Sequence, residues 1–411
     1  MRVLIAHNRY RQSGGEETHV SLLEGGLREL GADVWRFERD SADLARTPRQ
    51  RLVTALGLPY RPGGGGIGEA LRVSSPHIVH FHNLWPFLTP AALRLARRAG
   101  AVVVLTVHNY RFACPGGLLL RDGVIHDDCV EGSSLACAFR NPRGRVIESI
   151  AYGVALEIHR RFRMLERWVD AFVAPSAFME NVLLRAGLPQ RKIHRIAYGI
   201  PVHTELRPLG RSALFLGRLS PEKGVRTLLD AARLAPDVPL VVAGGGPLEG
   251  EVRGSAVEYL GQLDRRELAS AIESAAYVVA PSEWYDNQPF SVIESLAAGR
   301  PVIASRMGGL PELVSHGENG LLVSPRSPSH LAEAMQRMWD DRKLAQRCSV
   351  RAFNDARARF DLMTQTRELE NLYCSLIEST GRDRRRGGTV PTVSRPSAHA
   401  HAGRRPAEAK E

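Results

Sequence analysis

Residues 281–302 read PSEWYDNQPFSVIESLAAGRPV and decide the fold of the second half of this chain. The apolar run at 277–280 that precedes them predicts a buried strand, and Pro289 is typical of the first turn of a helix. Gly299 ends that helix before a second strand at 301–304. The stretch therefore predicts a strand, a loop, a helix and another strand, which is the repeating unit of a parallel α/β sheet.

Two carboxylates stand eight positions apart in this unit, with Asp286 in the loop and Glu294 within the helix. A carboxylate accepts hydrogen bonds from hydroxyl groups, and a helix N-terminus attracts a phosphate. A sugar nucleotide needs both kinds of partner. The junction between strand and helix is therefore a predicted binding site for such a ligand.

A second motif brings two cations to the same edge of the predicted sheet. Residues 217–224, GRLSPEKG, follow the first predicted strand of the second half. Loops at the carboxyl ends of parallel strands line the crevice where open α/β sheets bind ligands. Arg218 can grip a phosphate with two parallel N–H donors and Lys223 adds a compact charge, so the pair can neutralise a diphosphate. Two solvated loop side chains are the alternative interpretation.

Together these motifs resemble the donor-site signatures of the retaining glycosyltransferases of the GT-B fold, specifically the large family 4. The usual acidic motif of that family is Glu-x7-Glu, whereas this chain has Asp286 first, which keeps the charge but shortens the reach by one methylene. The resemblance implies that Glu294 binds the ribose and that Asp286 contacts the donor sugar. It also implies that Arg218 and Lys223 bind the donor diphosphate.

Alternating apolar strands and amphipathic helices predict an α/β protein. The resemblance implies the GT-B fold, in which two Rossmann-like doubly wound domains face a cleft and the C-terminal helices cross back to the first domain. We place an acceptor-side domain at residues 1–204 and a nucleotide-sugar-binding domain at 205–380, with a hinge at 205–210.

The last residues, 381–411, carry eight Lys or Arg against three Asp or Glu and lack large apolar side chains. This composition predicts a disordered basic tail. The tail is either a solvated extension or an electrostatic anchor to anionic lipid or to another polyanion.

Glycine clusters and one amide complete the predicted substrate site, because glycine lets a backbone approach a nucleotide closely. One cluster, in residues 308–312, resembles the Gly-Gly-x-Pro-Glu turn of the family. Each cluster is also compatible with a turn that binds no ligand. The predicted substrate-binding residues are Gly14, Gly15, Gly245, Gly246, Asn287, Gly308 and Gly309, in addition to Glu294.

His108 ends the predicted strand at 102–107, where side chains face the cleft. The resemblance implies a position near the reacting sugar, and a structural histidine is the alternative. His80 and His82 alternate on one face of another strand, as metal ligands can. Members of the family also carry histidines in this strand without a metal role, and we predict no metal there.

A formal charge of +11 is compatible with binding of nucleic acid. No basic, aromatic-interleaved or zinc-finger pattern accompanies it, so we expect no binding of nucleic acid. The longest apolar stretches are far shorter than the roughly 20 residues that span a bilayer. The chain runs from Met1 directly into a strand without the apolar region of a signal peptide, which predicts a cytoplasmic protein.

Residues from about 145 to 169 read as one long amphipathic helix with several arginines beside apolar side chains. Such a helix either lies on an anionic membrane surface that holds a lipid-linked acceptor or packs against its own domain. Peripheral contact at the inner face of the membrane is therefore one expectation.

Five cysteines without a Cys-x-x-Cys pair argue against a disulfide framework. Cys114, Cys129 and Cys137 fall in one loop-like region with His126. Zinc ligands normally come in tight pairs, and the gaps between these cysteines are wide. A zinc site and free thiols both remain open, and we predict no cofactor.

The motifs and the resemblance together imply a retaining, metal-independent hexosyltransferase of family 4. It would move a sugar from a nucleoside diphosphate sugar to a hydroxyl of a glycan or lipid-linked acceptor, in cell-surface polysaccharide or glycolipid assembly. The predicted catalytic residues are His108, Asp286, Arg218 and Lys223. The alternatives are a catalytically silent sugar-nucleotide-binding or scaffold protein, and another GT-B enzyme such as a sugar nucleotide epimerase or a phosphorylase.

Overall fold

The structure is a computed structural model that describes residues 1–9, 14–40, 66–85, 88–142 and 144–381. Apart from residue 381, the predicted basic tail 381–411 lies outside these residues. Within the described part of the chain, no helix has both the length and the apolar character needed to cross a bilayer.

Two parallel sheets form the centres of two lobes. In the first lobe six of the described strands pair in the order β2-β1-β3-β4-β7-β8, and β5 and β6 form a separate antiparallel hairpin. The strands are β1 (Arg2–Arg9), β2 (Asp33–Asp40), β3 (Ile78–Phe81), β4 (Val102–Thr106), β5 (Leu120–Arg121), β6 (Val124–Ile125), β7 (Ala171–Ala174) and β8 (Ile193–Arg195).

Helices cover both faces of this sheet, so its inner strands are apolar and buried throughout, as in β4. The helices of the first lobe are α1 (Gly15–Glu29), α2 (Ile67–Ser74), α3 (Thr89–Arg98), α4 (Asp128–Glu131), α5 (Ser134–Phe139), α6 (Val146–Arg161), α7 (Met164–Trp168) and α8 (Ala177–Arg185).

The second lobe repeats this plan with the strand order β11-β10-β9-β12-β13-β14. Its first strand, β9, lies inside the sheet, so the chain winds outward in both directions and creates a crevice at the carboxyl ends of β9 and β12. The strands are β9 (Ala213–Leu216), β10 (Leu240–Ala243), β11 (Glu258–Gly261), β12 (Tyr277–Ala280), β13 (Val302–Ser305) and β14 (Gly320–Val323).

The strands predicted at 277–280 and 301–304 are confirmed as β12 and β13, and the ends of β13 shift by one residue. The helices of this half are α9 (Val225–Leu234), α10 (Glu249–Arg253), α11 (Arg265–Ser274), α12 (Phe290–Ala297), α13 (Leu310–Leu313), α14 (Pro328–Asp340), α15 (Arg342–Arg359) and α16 (Leu362–Thr380).

The last helix, α16, returns to the first lobe and packs against α1 and β4. Its Tyr373 is fully buried, and the hydroxyl lies 2.6 Å from Nδ1 of His80. The chain crosses between the lobes a second time beside this helix, where Ile200 exchanges backbone hydrogen bonds with Phe360 and Leu362. The predicted fold of two doubly wound domains with a returning C-terminal helix is confirmed.

A buried arginine holds the link between the lobes. The Arg300 side chain has no exposed surface, and its guanidinium donates to the carbonyl oxygens of Arg207 at 2.9 Å and Pro208 at 2.7 Å. The centre of the predicted hinge at 205–210 is thereby tied to the second lobe. The domain boundary after residue 204 stays a prediction.

One predicted element is wrong. The single helix expected from about 145 to 169 is two helices, because α6 ends at Arg161 and α7 begins at Met164. Between them Arg163 has a left-handed backbone with φ of 48°, which cannot continue a right-handed helix. The break lets Leu165 of α7 turn into the core of the first lobe.

Candidate active site

The residues predicted to bind the donor gather at one edge of the second sheet. Four adjacent strands, in the order β10-β9-β12-β13, end at this edge, and the loop after each strand carries part of the predicted site. Parallel strands place their carboxyl ends together, so sequence-distant loops become neighbours. The loops carry Arg218 and Lys223 after β9, Gly245 and Gly246 after β10, Asp286 and Asn287 after β12, and Gly308 and Gly309 after β13.

The two motifs meet directly through an ion pair. The Nζ atom of Lys223 lies 2.6 Å from Oδ2 of Asp286, and the hydroxyl of Ser282 donates to the same oxygen at 2.7 Å. Asp286 is buried, and the ammonium also lies 5.4 Å from the ring centroid of Trp284. The acidic loop therefore holds the cation of the neighbouring loop in a fixed position.

Arg218 is held in the same way within its own loop. Its guanidinium contacts the carboxylate of Glu222, which also accepts a hydrogen bond of 2.8 Å from the Ser220 hydroxyl. Burial opposes ionisation of Glu222, yet the Arg218 guanidinium lowers the pKa of this carboxyl below its usual range. Half of the Arg218 side chain stays exposed, so the guanidinium can still face a ligand.

Glu294 has a different environment from Asp286. It lies half-buried on α12, and burial raises the pKa of this carboxyl to about 7 against the opposing charge of Arg265. Arg265 begins α11, behind the loop that follows β11. The two acids of the motif therefore have different environments. Asp286 is paired with a cation, whereas the pKa of Glu294 is raised to about 7.

The predicted glycines divide into two groups. A β-carbon on Gly308 would lie 2.3 Å from the carbonyl oxygen of Asp286, and one on Gly309 would lie 2.0 Å from that of Asn287. These glycines thus let the loop after β13 press against the acidic loop, and Gly246 does the same against Leu219. Among the residues that the structure describes, a β-carbon on Gly245 would meet only Gln262 within 4 Å, at 3.6 Å, so this position has room for a ligand beside its backbone.

The acidic loop also forms the contact between the lobes. The Ser176 hydroxyl of the first lobe donates to Oδ1 of Asn287, so this predicted substrate residue belongs to the interface. The Tyr198 amide donates to Oε1 of Gln288 at 2.8 Å, and the Tyr110 hydroxyl donates to the carbonyl of Tyr285 at 2.7 Å. A change in the relative position of the lobes would therefore move the donor loop.

Glu312, from the Gly-Gly-x-Pro-Glu turn, caps a helix of the opposite lobe. Its carboxylate accepts from the backbone amides of Ala177 at 2.7 Å and Phe178 at 2.6 Å, which are the first residues of α8. A carboxylate at a helix N-terminus satisfies free amides and complements the helix dipole. The turn thus links the lobes directly.

His108 lies in a cluster of buried aromatic and imidazole rings at the edge of the first sheet. Its Nδ1 is 2.6 Å from the Tyr198 hydroxyl, and its Nε2 is 3.1 Å from Nδ1 of His82. Burial, with a smaller contribution from neighbouring His19, keeps the pKa of His108 well below its usual range. The ring is therefore neutral near pH 7 and acts as a hydrogen-bonding group.

A buried carboxyl lies beside this cluster. Glu16 accepts a hydrogen bond of 2.9 Å from the Asn109 amide, and burial raises the pKa of Glu16 to about 7. Of the predicted glycines of the first lobe, Gly14 caps α1 and donates to Glu17, and a β-carbon on Gly15 would lie 3.0 Å from the ring of Phe290 in the second lobe. The start of α1 therefore lies against the second lobe.

His80 is a structural residue. Its Nε2 lies 2.7 Å from the Thr106 hydroxyl and its Nδ1 lies 2.6 Å from the Tyr373 hydroxyl, so both ring nitrogens have protein partners. This pairing favours the interpretation without metal for His80.

Several site residues escaped sequence reasoning. Tyr198 and Glu222 each contact a predicted residue, and Glu312 joins the lobes. Glu16 and Asn109 bond to each other beside the His108 cluster. One signal was available, because Asn109 lies in the loop after β4, and polar residues after parallel strands commonly face a ligand crevice. For Tyr198 the sequence offers no comparable signal.

The protein is a two-lobed α/β protein whose crevice is lined by the predicted donor-binding loops. Comparison with known proteins supports a nucleotide sugar as the ligand. The sequence model of the family described as Glycosyltransferase Family 4 matches residues 13–204. The sequence model described as Glycosyl transferases group 1 matches residues 210–341. A glycogen synthase of Mycobacterium tuberculosis is 32% identical over 410 residues, which span 91% of this chain and 94% of the relative. A D-inositol 3-phosphate glycosyltransferase of Corynebacterium glutamicum is 33% identical over 205 residues, or 45% of this chain and 47% of that protein.

Solved structures with the same fold cover nearly the whole chain. HepE of Anabaena, solved in complex with UDP-glucose, has a TM-score of 0.63 at 18% identity and covers 91% of this chain and 100% of its own. Sucrose-phosphate synthase from Thermosynechococcus elongatus has a TM-score of 0.67 at 21% identity, covering 92% and 100%. The chain belongs to the family 4 glycosyltransferases, in the glycosyl transferases group 1, and has the GT-B fold.

Proposed function

We propose that this glycosyltransferase moves a hexose from a nucleoside diphosphate sugar to an acceptor hydroxyl, with retention of the anomeric configuration. The observation that carries the proposal is the ion pair of 2.6 Å between Lys223 and Asp286. It joins the cationic loop to the acidic loop at the crevice formed by the carboxyl ends of β9 and β12. Arg218 lies on the same loop as Lys223. Two cations at this edge provide a site for the diphosphate.

Arg218 and Lys223 stabilise the departing diphosphate, on which negative charge develops as the bond to the sugar breaks. Preorganised charges aimed at the leaving group act without reorganisation during the reaction. Asp286 and Glu222 provide that preorganisation, because each holds one cation. With this charge supplied by the protein, transfer needs no divalent ion at the diphosphate.

The acids and His108 bind the rest of the donor. Both hydrogen bonds to Asp286 described above end on Oδ2, so we assign Oδ1 to a hydroxyl of the donor sugar. Glu294 accepts hydrogen bonds from the ribose, and Gly245 offers the backbone surface beside the nucleotide. His108, as a neutral ring, hydrogen-bonds a sugar hydroxyl near the anomeric carbon.

A donor screen followed by product analysis tests the proposal. UDP, GDP and ADP sugars are compared by thermal shift, since a ligand that binds the folded state raises the melting temperature. UDP-glucose comes first, because it is the ligand in the HepE complex. The matching donor is then incubated with acceptors, and NMR of the product reports the anomeric configuration. Retention, with turnover unchanged by added Mg²⁺ or Mn²⁺, is the expected result.

Two outcomes would contradict the proposal. Calorimetric binding of a donor without turnover on any glycan or lipid-linked acceptor would favour a scaffold that binds sugar nucleotides. Conversion of the free sugar nucleotide without an acceptor would favour an epimerase. The assignment to cell-surface polysaccharide or glycolipid assembly would rest on which acceptor is used.

A peripheral contact with an anionic membrane belongs to the same proposal for a cytoplasmic enzyme with a lipid-linked acceptor. Phe139 at the end of α5 is 72% exposed, and Ile147 in the first turn of α6 is 80% exposed. Arg140 and Arg145 lie beside them in sequence, so apolar and cationic side chains occur together. Sedimentation with vesicles that contain an anionic lipid tests this contact, and the Ile147→Asp variant should sediment less than wild type. Equal sedimentation of both proteins, or none with wild type, would reject this surface.

A further inference from the structure

Three thiols meet in the segment between β4 and β7. The Sγ atoms of Cys114, Cys129 and Cys137 all lie within 4.8 Å of one another. Cys114 follows a turn that begins at Tyr110, whereas Cys129 lies in α4 and Cys137 in α5. Cys114 and Cys129 are each 3% exposed, so the cluster is largely shielded from solvent.

The spacing of the thiols fits a tetrahedral metal ion. Zinc binds cysteine sulfur at about 2.3 Å, which places two sulfur ligands of a tetrahedral site about 3.8 Å apart. Thiols already within 4.8 Å reach that geometry through small side-chain movements. A disulfide would join two of the three and leave the third beside it, so it accounts for the arrangement less completely.

His126 is the candidate for the fourth ligand. It lines the same cavity of about 240 Å³ as the three cysteines, and the atoms within 4.8 Å of one another are the three sulfurs. The hairpin of β5 and β6 turns the chain back, and the His126 amide donates to the carbonyl of Leu119 at 2.8 Å. With His126 included, the ligands are separated by eleven, two and seven residues. The middle gap is the tight pair typical of zinc sites, here as His-x-x-Cys.

The segment has a physical need for such a link. Its hairpin has two residues in each strand, α4 has four residues and α5 has six. Elements this short are not stable alone in water. Arg160 of α6 already ties part of the segment down, because its guanidinium donates to the carbonyl of Cys129 at 2.8 Å. A metal ion would join the remaining parts at one point.

We propose that Cys114, His126, Cys129 and Cys137 form a closed structural zinc site that fixes the segment between β4 and β7. Three thiolates and an imidazole with no open position are typical of structural zinc, and binding releases the thiol protons. The ion proposed here would be a structural metal, which the prediction of no cofactor did not include. It is separate from the diphosphate site, so it requires no metal in the transfer step.

The site also bears on the lobe contact. The Cys114 amide donates to the carbonyl of Tyr110 at 2.8 Å, and the Tyr110 hydroxyl reaches the carbonyl of Tyr285 in the donor loop. Zinc at Cys114 would therefore hold the base of Tyr110 in place. The ion acts through this side chain as a structural support.

The first experiment measures metal in the full-length chain purified without a histidine tag. Elemental analysis is expected to find about one zinc per chain. Exchange of zinc for Co²⁺ should give the intense visible bands of tetrahedral cobalt and the sulfur-to-cobalt charge-transfer band in the near ultraviolet. These spectra of the wild-type protein need no variant and no transferase assay, so they stand whether or not the proposed function holds.

Variants then assign the ligands. Cys129→Ser and Cys137→Ser should each lose most of the bound zinc, whereas Cys374→Ser, a half-buried cysteine of α16, should retain it. His126→Ala should weaken zinc binding, and Asp128→Ala, which lines the same cavity, should not. Loss of zinc in Asp128→Ala together with retention of zinc in His126→Ala would show that His126 is not the fourth ligand.

Three results would overturn the site itself. Metal-free protein with all cysteines reactive toward a thiol reagent would show free thiols. A mass lower by two hydrogen atoms, restored by reduction, would show a disulfide within the cluster. Iron in place of zinc, with the absorption of an iron–sulfur cluster, would reject the tetrahedral zinc assignment.

Discussion

Lys223 donates a hydrogen bond of 2.6 Å to the carboxylate of Asp286, although the two residues are 63 positions apart. Each belongs to a loop at the carboxyl end of a strand, β9 for Lys223 and β12 for Asp286, and these strands are neighbours. The acid that replaces the usual Glu in the motif therefore still reaches the cation of the neighbouring loop. The pair makes the two loops one functional unit.

Replacing Lys223 should reduce transfer strongly. The Lys223→Ala variant is expected to lower kcat/KM by about 10²-fold or more, because one preorganised charge on the leaving group is lost. Steady-state kinetics with the matching donor measures this effect. Lys343→Ala, an exposed lysine on α15, is the control and should behave as wild type.

The coupling between the two residues is tested by a double-mutant cycle. Asp286→Asn should also reduce kcat/KM, because Lys223 loses its anchor and the donor sugar loses a charged acceptor. The loss of kcat/KM in the double variant, expressed as a free energy, should be smaller than the sum of the two single losses, since residues in contact are not independent. Fully additive losses would show that the ion pair does not position Lys223 for catalysis.

Donor affinity should depend on pH through Glu294. Burial raises the pKa of this carboxyl to about 7. Ribose hydroxyls stabilise the ionised form, so donor binding should lower the pKa and release a proton. Affinity is then expected to increase by up to about tenfold between roughly pH 5.5 and 7, and to level off above that range. Calorimetry in buffers of different ionisation enthalpy measures the released proton.

The control for this pH effect is Glu294→Gln, which cannot ionise. Its donor affinity should be nearly constant over the same range, while Glu333→Gln, on the exposed side of α14, should keep the wild-type slope. An intact nucleoside diphosphate sugar is the ligand to use, because the free diphosphate has its own titration near pH 6. A donor affinity of the wild type that does not change over this pH range would show that Glu294 does not bind the ribose.

Glu16 should make folding stability depend on pH. Burial raises its pKa from 4.5 to about 7, so the folded protein holds this proton more tightly than the unfolded chain. The stabilisation is complete below about pH 4.5 and is lost as the pH rises through about 7. Glu16→Gln keeps an acceptor for the Asn109 amide and stays neutral. It should therefore exceed the wild type in unfolding free energy at pH 8, by up to about 3 kcal/mol, and match it near pH 4.5.

Urea unfolding at pH 4.5, 6.5 and 8 measures this difference. Glu29→Gln, at the exposed end of α1, serves as the matched control and should follow the wild type at each pH. A Glu16→Gln variant that is equally destabilised at every pH would show that the carboxyl is ionised in the folded protein.

Removing Glu312 should loosen the contact between the lobes. Its carboxylate caps the first amides of α8, and loss of such a cap costs about 1 to 2 kcal/mol. In Glu312→Ala we expect faster hydrogen exchange at the amides of Ala177 and Phe178 and a lower kcat/KM. Glu333→Ala removes an exposed acid elsewhere in the second lobe and should change neither quantity. Unaltered protection of both amides would contradict the role of this cap.

Much of the second lobe could be predicted from the sequence, because its signals are local. The apolar runs, Pro289 and Gly299 fix where strands and helices begin and end over a few residues. The long helix expected at 145–169 failed for the opposite reason. Its apolar periodicity continues through Arg163, where the left-handed backbone breaks the helix and turns Leu165 into the core of the first lobe.

The zinc ligands show the same limit. The sequence places His126 and three cysteines in one region but leaves a zinc site and free thiols both open, because the three sulfur atoms come together only when the hairpin and two short helices fold. Likewise, the sequence indicates only that Glu312 belongs to a turn motif. Its hydrogen-bond partners on α8 lie 134 and 135 positions away.

The sequence by itself determined the succession of strands and helices, the two cations, the two acids and the glycine turns at the sheet edge, because local patterning and strand order place them there. Only the tertiary structure decided which charges pair, which glycines serve packing, how the lobes touch through residues 284–288 and Glu312, and that three thiols converge. Such contacts depend on how whole elements dock. Docking is set by the sum of many weak packing interactions that no single stretch of sequence encodes.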